Sequence, residues 1–250
     1  PAIAIEPAPA PTMQDEGESR AKALEIIDRH IEAIGGADTL RKHTSITQTG
    51  NILIPSQGIS GPFTFYNRAP DTFVAHINVV ALGSPKTGYN GSVGWGLSPM
   101  MGASLMEDRE LRDTQMQADY ISVLHTERYY EGISFEGTGE FSGQKTNIVK
   151  LVDDEGSETT QHYSVESGLL VGTISMQGSP MGEIEVSTEL MDYKEFGGVL
   201  IATKTVQHLG PTDVEIIVES VSYDKIDDAV FVLPPAIQAL TEEPEPAAAP

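Results

Sequence analysis

From Thr44 almost to the C-terminus, apolar and polar residues alternate with a period of two in one short run after another. The clearest run sets Ile184, Val186, Thr188 and Leu190 against Glu183, Glu185, Ser187 and Glu189. Successive side chains of a strand point to opposite faces, so this run predicts one buried face and one wet, acidic face. Similar runs at Ile46–Ile54, Gly58–Asn67 and Thr72–Val80 are split by Pro55-Ser56-Gln57-Gly58 and Arg68-Ala69-Pro70-Asp71. Lys86–Tyr89 and Ser92–Leu97 read as a hairpin turning at Asn90-Gly91. Seven more strands are expected at Tyr129–Glu136, Thr146–Val152, Thr159–Val165, Leu169–Met176, Gly182–Tyr193, Val199–Leu209 and Val214–Tyr223. A meander of about 11 or 12 antiparallel strands must curl or close, because a flat sheet of that size exposes its edges.

Two stretches break the strand pattern. From Ser19 to Ile34, Ala23, Leu24, Ile27, Ile31 and Ile34 form a stripe of helical period, opened by Ser19 as N-cap and ended by Gly35-Gly36. In the middle, Ser98–Leu124 predicts one or two short helices. The Ala/Pro-rich and acidic ends, residues 1–18 and 237–250, are expected to be flexible tails around one domain at 19–236.

Charge and composition exclude several function classes. The formal net charge of −22 argues against a nucleic-acid partner and against docking on anionic headgroups. No run approaches the roughly 20 apolar residues of a membrane-spanning helix. The chain has no cysteine, hence no disulfide, thiolate metal site or Cys nucleophile, and nothing in these residues leads one to expect a lipid anchor. It starts without Met and without a basic-then-apolar signal segment, as expected of a mature form after signal removal or of a trimmed chain.

Chemical motifs are weak. Ser19-Arg20-Ala21-Lys22 and Lys86-Thr87-Gly88 have the form of serine β-lactamase motifs, but no Ser-Asp-Asn lies between them. His30, His43, His76, His125, His162 and His208 form no His-x-His or His-x-x-x-His pair, so no metal site is expected. Asp153-Asp154-Glu155-Gly156 lacks calcium-loop spacing and reads as a hairpin tip. No carboxylate pair stands out as general acid and base; neither an enzyme nor a cofactor is expected. Met100, Met101, Met106 and Met116 cluster near Trp95 and Leu97. Two readings are open for them: the lining of an adaptable apolar cavity, or ordinary core packing.

The order of elements carries a resemblance. An amphipathic helix ends in Gly35-Gly36 and leads through Leu40 to a strand, and Asn67-Arg68-Ala69-Pro70-Asp71-Thr72-Phe73 makes a Pro-containing strand turn. Gly88-Tyr89-Asn90-Gly91-Ser92-Val93-Gly94-Trp95 precedes the mid-chain helical stretch. Tyr163 to Val171 reads strand, Ser-Gly-Leu-Leu turn, strand, and Tyr193-Lys194-Glu195-Phe196-Gly197-Gly198-Val199-Leu200-Ile201 follows. Over roughly residues 20–233 the chain resembles the bacterial outer-membrane lipoprotein-sorting (LolA-like) superfamily. That resemblance implies a half-open antiparallel β-barrel with helices covering its concave face. It implies a non-catalytic, periplasmic or secreted carrier of an acyl lipid or lipoprotein. It also implies that an Arg before a Pro holds the lid closed; Arg68 takes that place with Ala69 inserted, and capping the turn beside Asp71 is an equally good reading. The ligand-facing candidates are Leu24, Ile27 and Ile31 on the lid helix, Phe65, Phe73 and Trp95 on the sheet, and Met106, Met116 and Leu124 mid-chain. The alternative is an interaction subunit of a periplasmic or membrane-associated assembly, docking a protein partner through the acidic surface.

Overall fold

A computed structural model describes residues 13–179 and 182–242. Helix α1 (Met13–Ala33) and α2 (Ala37–Lys42) lead into β1 (Ser45–Ile54), β2 (Ile59–Arg68), β3 (Thr72–Ile77), β4 (Lys86–Tyr89), β5 (Gly94–Ser98) and β6 (Gly102–Leu105). Then come α3 (Asp108–Ala118), a 3-10 turn at Ser122–His125 and α4 (Thr126–Tyr129). The second half is β7 (Gly132–Phe141), β8 (Gln144–Val152), β9 (Glu158–Ser164), β10 (Leu170–Ser179), β11 (Gly182–Phe196), β12 (Val199–Leu209) and β13 (Thr212–Ser222). A 3-10 turn at Asp228–Phe231 and α5 (Pro235–Thr241) finish the described chain.

All thirteen strands form one antiparallel sheet, ordered β6-β5-β4-β3-β2-β1-β13-β12-β11-β10-β9-β8-β7, that does not close into a barrel. The central pair is β1 with β13, so the chain's two meanders meet in the middle. Strands β6 and β7 are successive in sequence yet form opposite edges. The 26 residues between Leu105 and Gly132 must therefore cross from one edge to the other. In a flat sheet the twelve spacings would set those edges roughly 58 Å apart. A connection that is largely helical, at about 1.5 Å per helical residue, spans that only if the sheet curls. Contacts of α3 show the curl directly. Its Leu111 and Ala118 pack on Phe73, Ala75 and Tyr89 of β3 and β4. Its Arg109 donates to the Met176 carbonyl of β10 at 2.9 Å. Its Arg112 pairs with Asp154 and Glu155 in the β8–β9 turn at 2.8 and 3.0 Å.

Each face of the curled sheet has its own core. On the concave side, Ala23, Ile27, Ile31 and Ile34 of α1 pack on Ile133, Val149 and Leu151. On the convex side, Val74 and Trp95 are covered by Ile226, Phe231 and Ile237 of the C-terminal segment. The Trp95 ring lies across Gly88, where an added Cβ would come within 2.8 Å of it.

Several expectations change in detail. The strand count is one above the expected range because Gly102–Leu105, read as helical, forms β6. Helix α1 starts at Met13, so Ser19 lies inside it rather than capping it. The Ser19 hydroxyl instead donates to the Phe135 carbonyl at 3.1 Å and accepts from the Phe135 amide at 2.9 Å. It thereby satisfies backbone groups of edge strand β7 beside its bulge. Residues 235–241, placed partly in a tail, are helical, and Ile237 is fully buried. The remaining tail residues, 1–12 and 243–250, lie outside the described part.

Candidate binding cavity

A cavity of about 430 Å³ lies between the concave sheet and its helical cover. Its floor comes from Ile46 and Gln48 of β1, Phe65 of β2, Leu190 of β11, and Ile216 and Val218 of β13. Its roof comes from His30 of α1 and Ile34 just after it, Leu40 of α2, Gln117 at the end of α3, and Tyr120 and Val123 of the segment that follows. Leu170 of β10, Tyr193 of β11, residues 199–202 and Thr205 of β12, and His43 and Tyr223 complete the wall. Among the described residues, no Lys, Arg, Asp or Glu lines it.

The roof is fastened at three places. The carboxyl end of α1 turns at Gly35, where φ is +125° and an added Cβ would come within 2.3 Å of the Gly198 carbonyl oxygen. Only glycine permits this approach, and the Leu200 amide of β12 then donates to the Ile34 carbonyl at 2.9 Å. The buried Asn67 amide donates to the Gln117 carbonyl at the end of α3 at 2.8 Å. Asp119, itself buried, is bonded by His125 Nδ1 at 2.6 Å and by the Tyr129 hydroxyl at 2.9 Å, which pins the segment after α3. Burial, and then the hydrogen bond and charge of Asp119, push the Tyr129 hydroxyl up to about 12.

Two clefts of about 230 Å³ adjoin the cavity. One is bordered by Leu24, Ile27, Ile31 and Leu124, the other by Met116, Leu151 and Tyr163, and Val123 borders all three spaces. The sequence candidates thus fall into groups. Phe65 lines the main cavity, while Leu24, Ile27, Ile31, Leu124 and Met116 line the side clefts. Phe73 is buried beneath α3, and Trp95 is buried on the convex side. Met106 is buried, with its sulfur accepting from the Thr114 hydroxyl at 3.2 Å. Arg68 faces the convex side, pairs with Asp228 and sits over the Phe231 ring at 4.3 Å. Its inward neighbour Asn67 supplies the bond to the cover. Met100 and Met101 are exposed. Sequence reasoning missed Tyr120, Val123, Ile201, Ile216 and Tyr223. The alternation of β13 carried a signal for Ile216 and Val218.

His30 is the buried titratable group of the roof. Its Nδ1 accepts from the Leu170 amide at 3.2 Å, and its ring stands edge-on to Tyr163 at 5.4 Å. Desolvation outweighs a backbone hydrogen bond at Gly168 and lowers it from 6.5 to about 4, so it is neutral in the folded protein at neutral pH. Burial likewise raises the Tyr163 and Tyr193 hydroxyls, and that of Tyr193 donates to the Leu170 carbonyl at 2.6 Å. Below pH 6.5 an unfolded His30 binds a proton that the folded one refuses, so the unfolded state holds more protons and stability falls with pH. The loss is expected to develop between about 6.5 and 4 and to reach roughly 3 kcal/mol. His76 and His162, also lowered by burial, act in the same direction. Urea unfolding at pH 7.5 and 4.5 checks this. A His30→Asn variant, which keeps an acceptor for Leu170, should show a visibly shallower pH slope.

No family model and no curated protein matches the chain in sequence. Solved structures do match. A DUF1329 family protein from Desulfovibrio piger has a TM-score of 0.60 at 13% identity, over 84% of this chain and 97% of that one. A LolA superfamily protein from Nitrosomonas europaea has a TM-score of 0.56 at 9% identity, over 86% and 98%. The fold is LolA-like. An outer membrane lipoprotein-sorting protein domain from Vibrio parahaemolyticus gives 0.55 at 11% identity, over 85% and 97%. At these identities the LolA likeness is one of fold. No helix among the described residues is long and apolar enough to cross a membrane.

Proposed function

We propose that this protein is a non-catalytic carrier that holds the acyl part of a lipid or lipoprotein in its covered cavity, within the periplasm. The observation that carries the reading is the cavity itself: about 430 Å³, walled mainly by apolar side chains and placed under a helical cover. Its volume lies in the range of small-molecule sites. Each methylene moved from water into it gains about 0.8 kcal/mol. The side clefts that meet it at Val123 extend the apolar space and bring in Leu24, Ile27, Ile31, Leu124 and Met116. A LolA-like neighbour described as a lipoprotein-sorting domain supports the same reading. Arg68, in this reading, steadies the lid indirectly, by clasping the C-terminal segment to the strand whose Asn67 holds α3.

One observation favours a second role beside it. Val80, Met100 and Met101 are almost wholly exposed, and Met100 lies against the Gly83 turn that follows Val80. An apolar tip on so acidic a chain suits contact with a protein partner. The deciding experiment is native mass spectrometry of the purified protein, with lipid extraction from the same sample. An adduct of acyl-lipid mass, or uptake of an added acyl probe at one equivalent, is expected. A bare mass with no uptake, together with a stoichiometric co-purifying protein, would replace the carrier reading by the interaction reading.

A further inference from the structure

A second cavity, of about 350 Å³, shares no wall residue with the acyl cavity. It is built from α3 and α4, the β2–β3 and β8–β9 turns and the end of β4. Its wall brings the rings of Tyr89, Tyr129 and Tyr130 together with the carboxylates of Asp71, Glu127, Glu131 and Asp154. Two guanidinium groups, those of Arg112 and Arg128, stand among them.

These charges are only partly spent within the fold. Arg112 pairs with Asp154 and Glu155, and Glu127 pairs with Arg20. Asp71 and Glu131 form no ion pair among the described residues. The Asp71 charge lies close enough to Tyr129 to help push its hydroxyl up. The three tyrosine hydroxyls are engaged: Tyr129 donates to Asp119 at 2.9 Å, Tyr130 to the Met116 sulfur at 3.5 Å, and Tyr89 accepts from Gln115 at 3.4 Å. What these side chains have left for a ligand is ring surface. The fold itself shows what that surface attracts, since the Arg128 guanidinium stands over the Tyr129 ring at 5.5 Å. A ring face is electron-rich and draws cations, and a methylated ammonium suits it well. Such a group has no N–H to satisfy, so rings can replace its water while the carboxylates supply the counter-charge. An anion would meet four carboxylates against two guanidinium groups, one of them already paired.

We infer that this cavity binds a quaternary ammonium group, with the Tyr129 and Tyr130 rings as its walls and Asp71 and Glu131 as counter-charges, on the ring face that Arg128 now occupies. The inference does not rest on the carrier reading. The same group occurs on free solutes and on zwitterionic lipid headgroups. Tyr129 and Tyr130 also border the side cleft at Met116, so a headgroup held here has apolar space beside it for the start of its tail.

The test is calorimetric titration with tetramethylammonium at pH 7.5, with sodium as the background ion at constant ionic strength. Wild-type protein should show saturable binding at one equivalent. Asp71→Asn combined with Glu131→Gln should weaken it about five-fold or more. Tyr130→Leu should weaken it about five-fold, while Tyr130→Phe, which keeps the ring, should bind as wild type does. Arg128→Gln removes the internal competitor and should tighten binding about two- to five-fold. Thermal midpoints of the variants serve as the folding check. Choline and monomeric dodecylphosphocholine then distinguish the sources. A much tighter dodecylphosphocholine names a lipid headgroup, equal affinity names a free solute, and both support the ammonium site. No saturable binding of tetramethylammonium to wild type would overturn the inference, as would unchanged affinity in the folded double variant or in folded Tyr130→Leu. Binding of inorganic phosphate instead, lost in Arg128→Gln, would also overturn it and make this an anion site. Each of these failures leaves the carrier reading standing, because the acyl cavity has other walls.

Discussion

A Gly50→Val variant is expected to lose more than about 3 kcal/mol of folding free energy and to melt some 10 °C below wild type. The backbone angles of Gly50 are ordinary; space is the problem. A Cβ there would sit 1.8 Å from the Ile217 carbonyl oxygen and 3.0 Å from the Phe63 ring. The carbonyl belongs to the backbone of β13 and cannot rotate away as a side-chain tip could. Phe63 is itself buried, with the tilted Phe65 ring 4.3 Å away, so it has no room to yield. The position is also the bulge in the β1–β13 ladder, between Thr49 and Gly50, where the two meanders join. Bulges increase local twist, so this one helps curl the sheet. Thermal melting and urea titration measure the loss. A variant that melts within two degrees of wild type would show that β1 and β13 do not approach as closely as described.

The second large effect concerns binding. Ile216→Asp should weaken acyl-probe binding by 100-fold or more, with the fold retained. Ile216 lines the cavity floor on β13 and is partly exposed, so its carboxylate can be hydrated before a ligand enters. Entry of an acyl chain strips that water with no cation in the wall to compensate, and about 2.7 kcal/mol of such cost is already 100-fold. Met101→Asp, at an exposed position, is the control and should bind as wild type does. Probe affinity within three-fold of wild type in a folded Ile216→Asp protein would place the ligand elsewhere.

How much of this could be read from residues differs along the chain. Strand β11 announces itself, because one face is packed and the other wet; Val186 is buried while Glu185 is exposed. The Asn90-Gly91 turn is equally legible: Asn90 Oδ1 accepts from the Ser92 and Val93 amides at 3.1 and 2.8 Å. Strand β6 was not, since it has four residues, is mostly exposed and follows a Met pair that suggests a helix. The site was harder still. In β3, Phe73, Val74 and Ala75 are all buried, because α3 covers one face and the C-terminal segment the other. With both faces covered, alternation vanishes and cannot say that Phe73 packs under α3 or that Trp95 turns away from the cavity. Arg68 and Asn67 show the same problem at one-residue resolution: adjacent strand positions serve opposite faces. Tyr223 was read as the last residue of a strand but lies one residue past β13, and only the stacked His43 ring reveals its role as a wall.

The crossing from Leu105 to Gly132 has a mechanical meaning. A chain segment sewn to both rims of a curved sheet works like a drawstring. The height of the roof and the width of the mouth become one variable, since neither changes without the other. In the carrier reading, guests that fit beneath the existing cover need no stretching. Thicker guests must part the rims, and the reach of 26 residues sets where that stops. If the cavity holds cargo as proposed, selection by girth resides in the length of a connection, and lengthening that connection by a few glycines is expected to widen the range of cargo without touching a single wall residue.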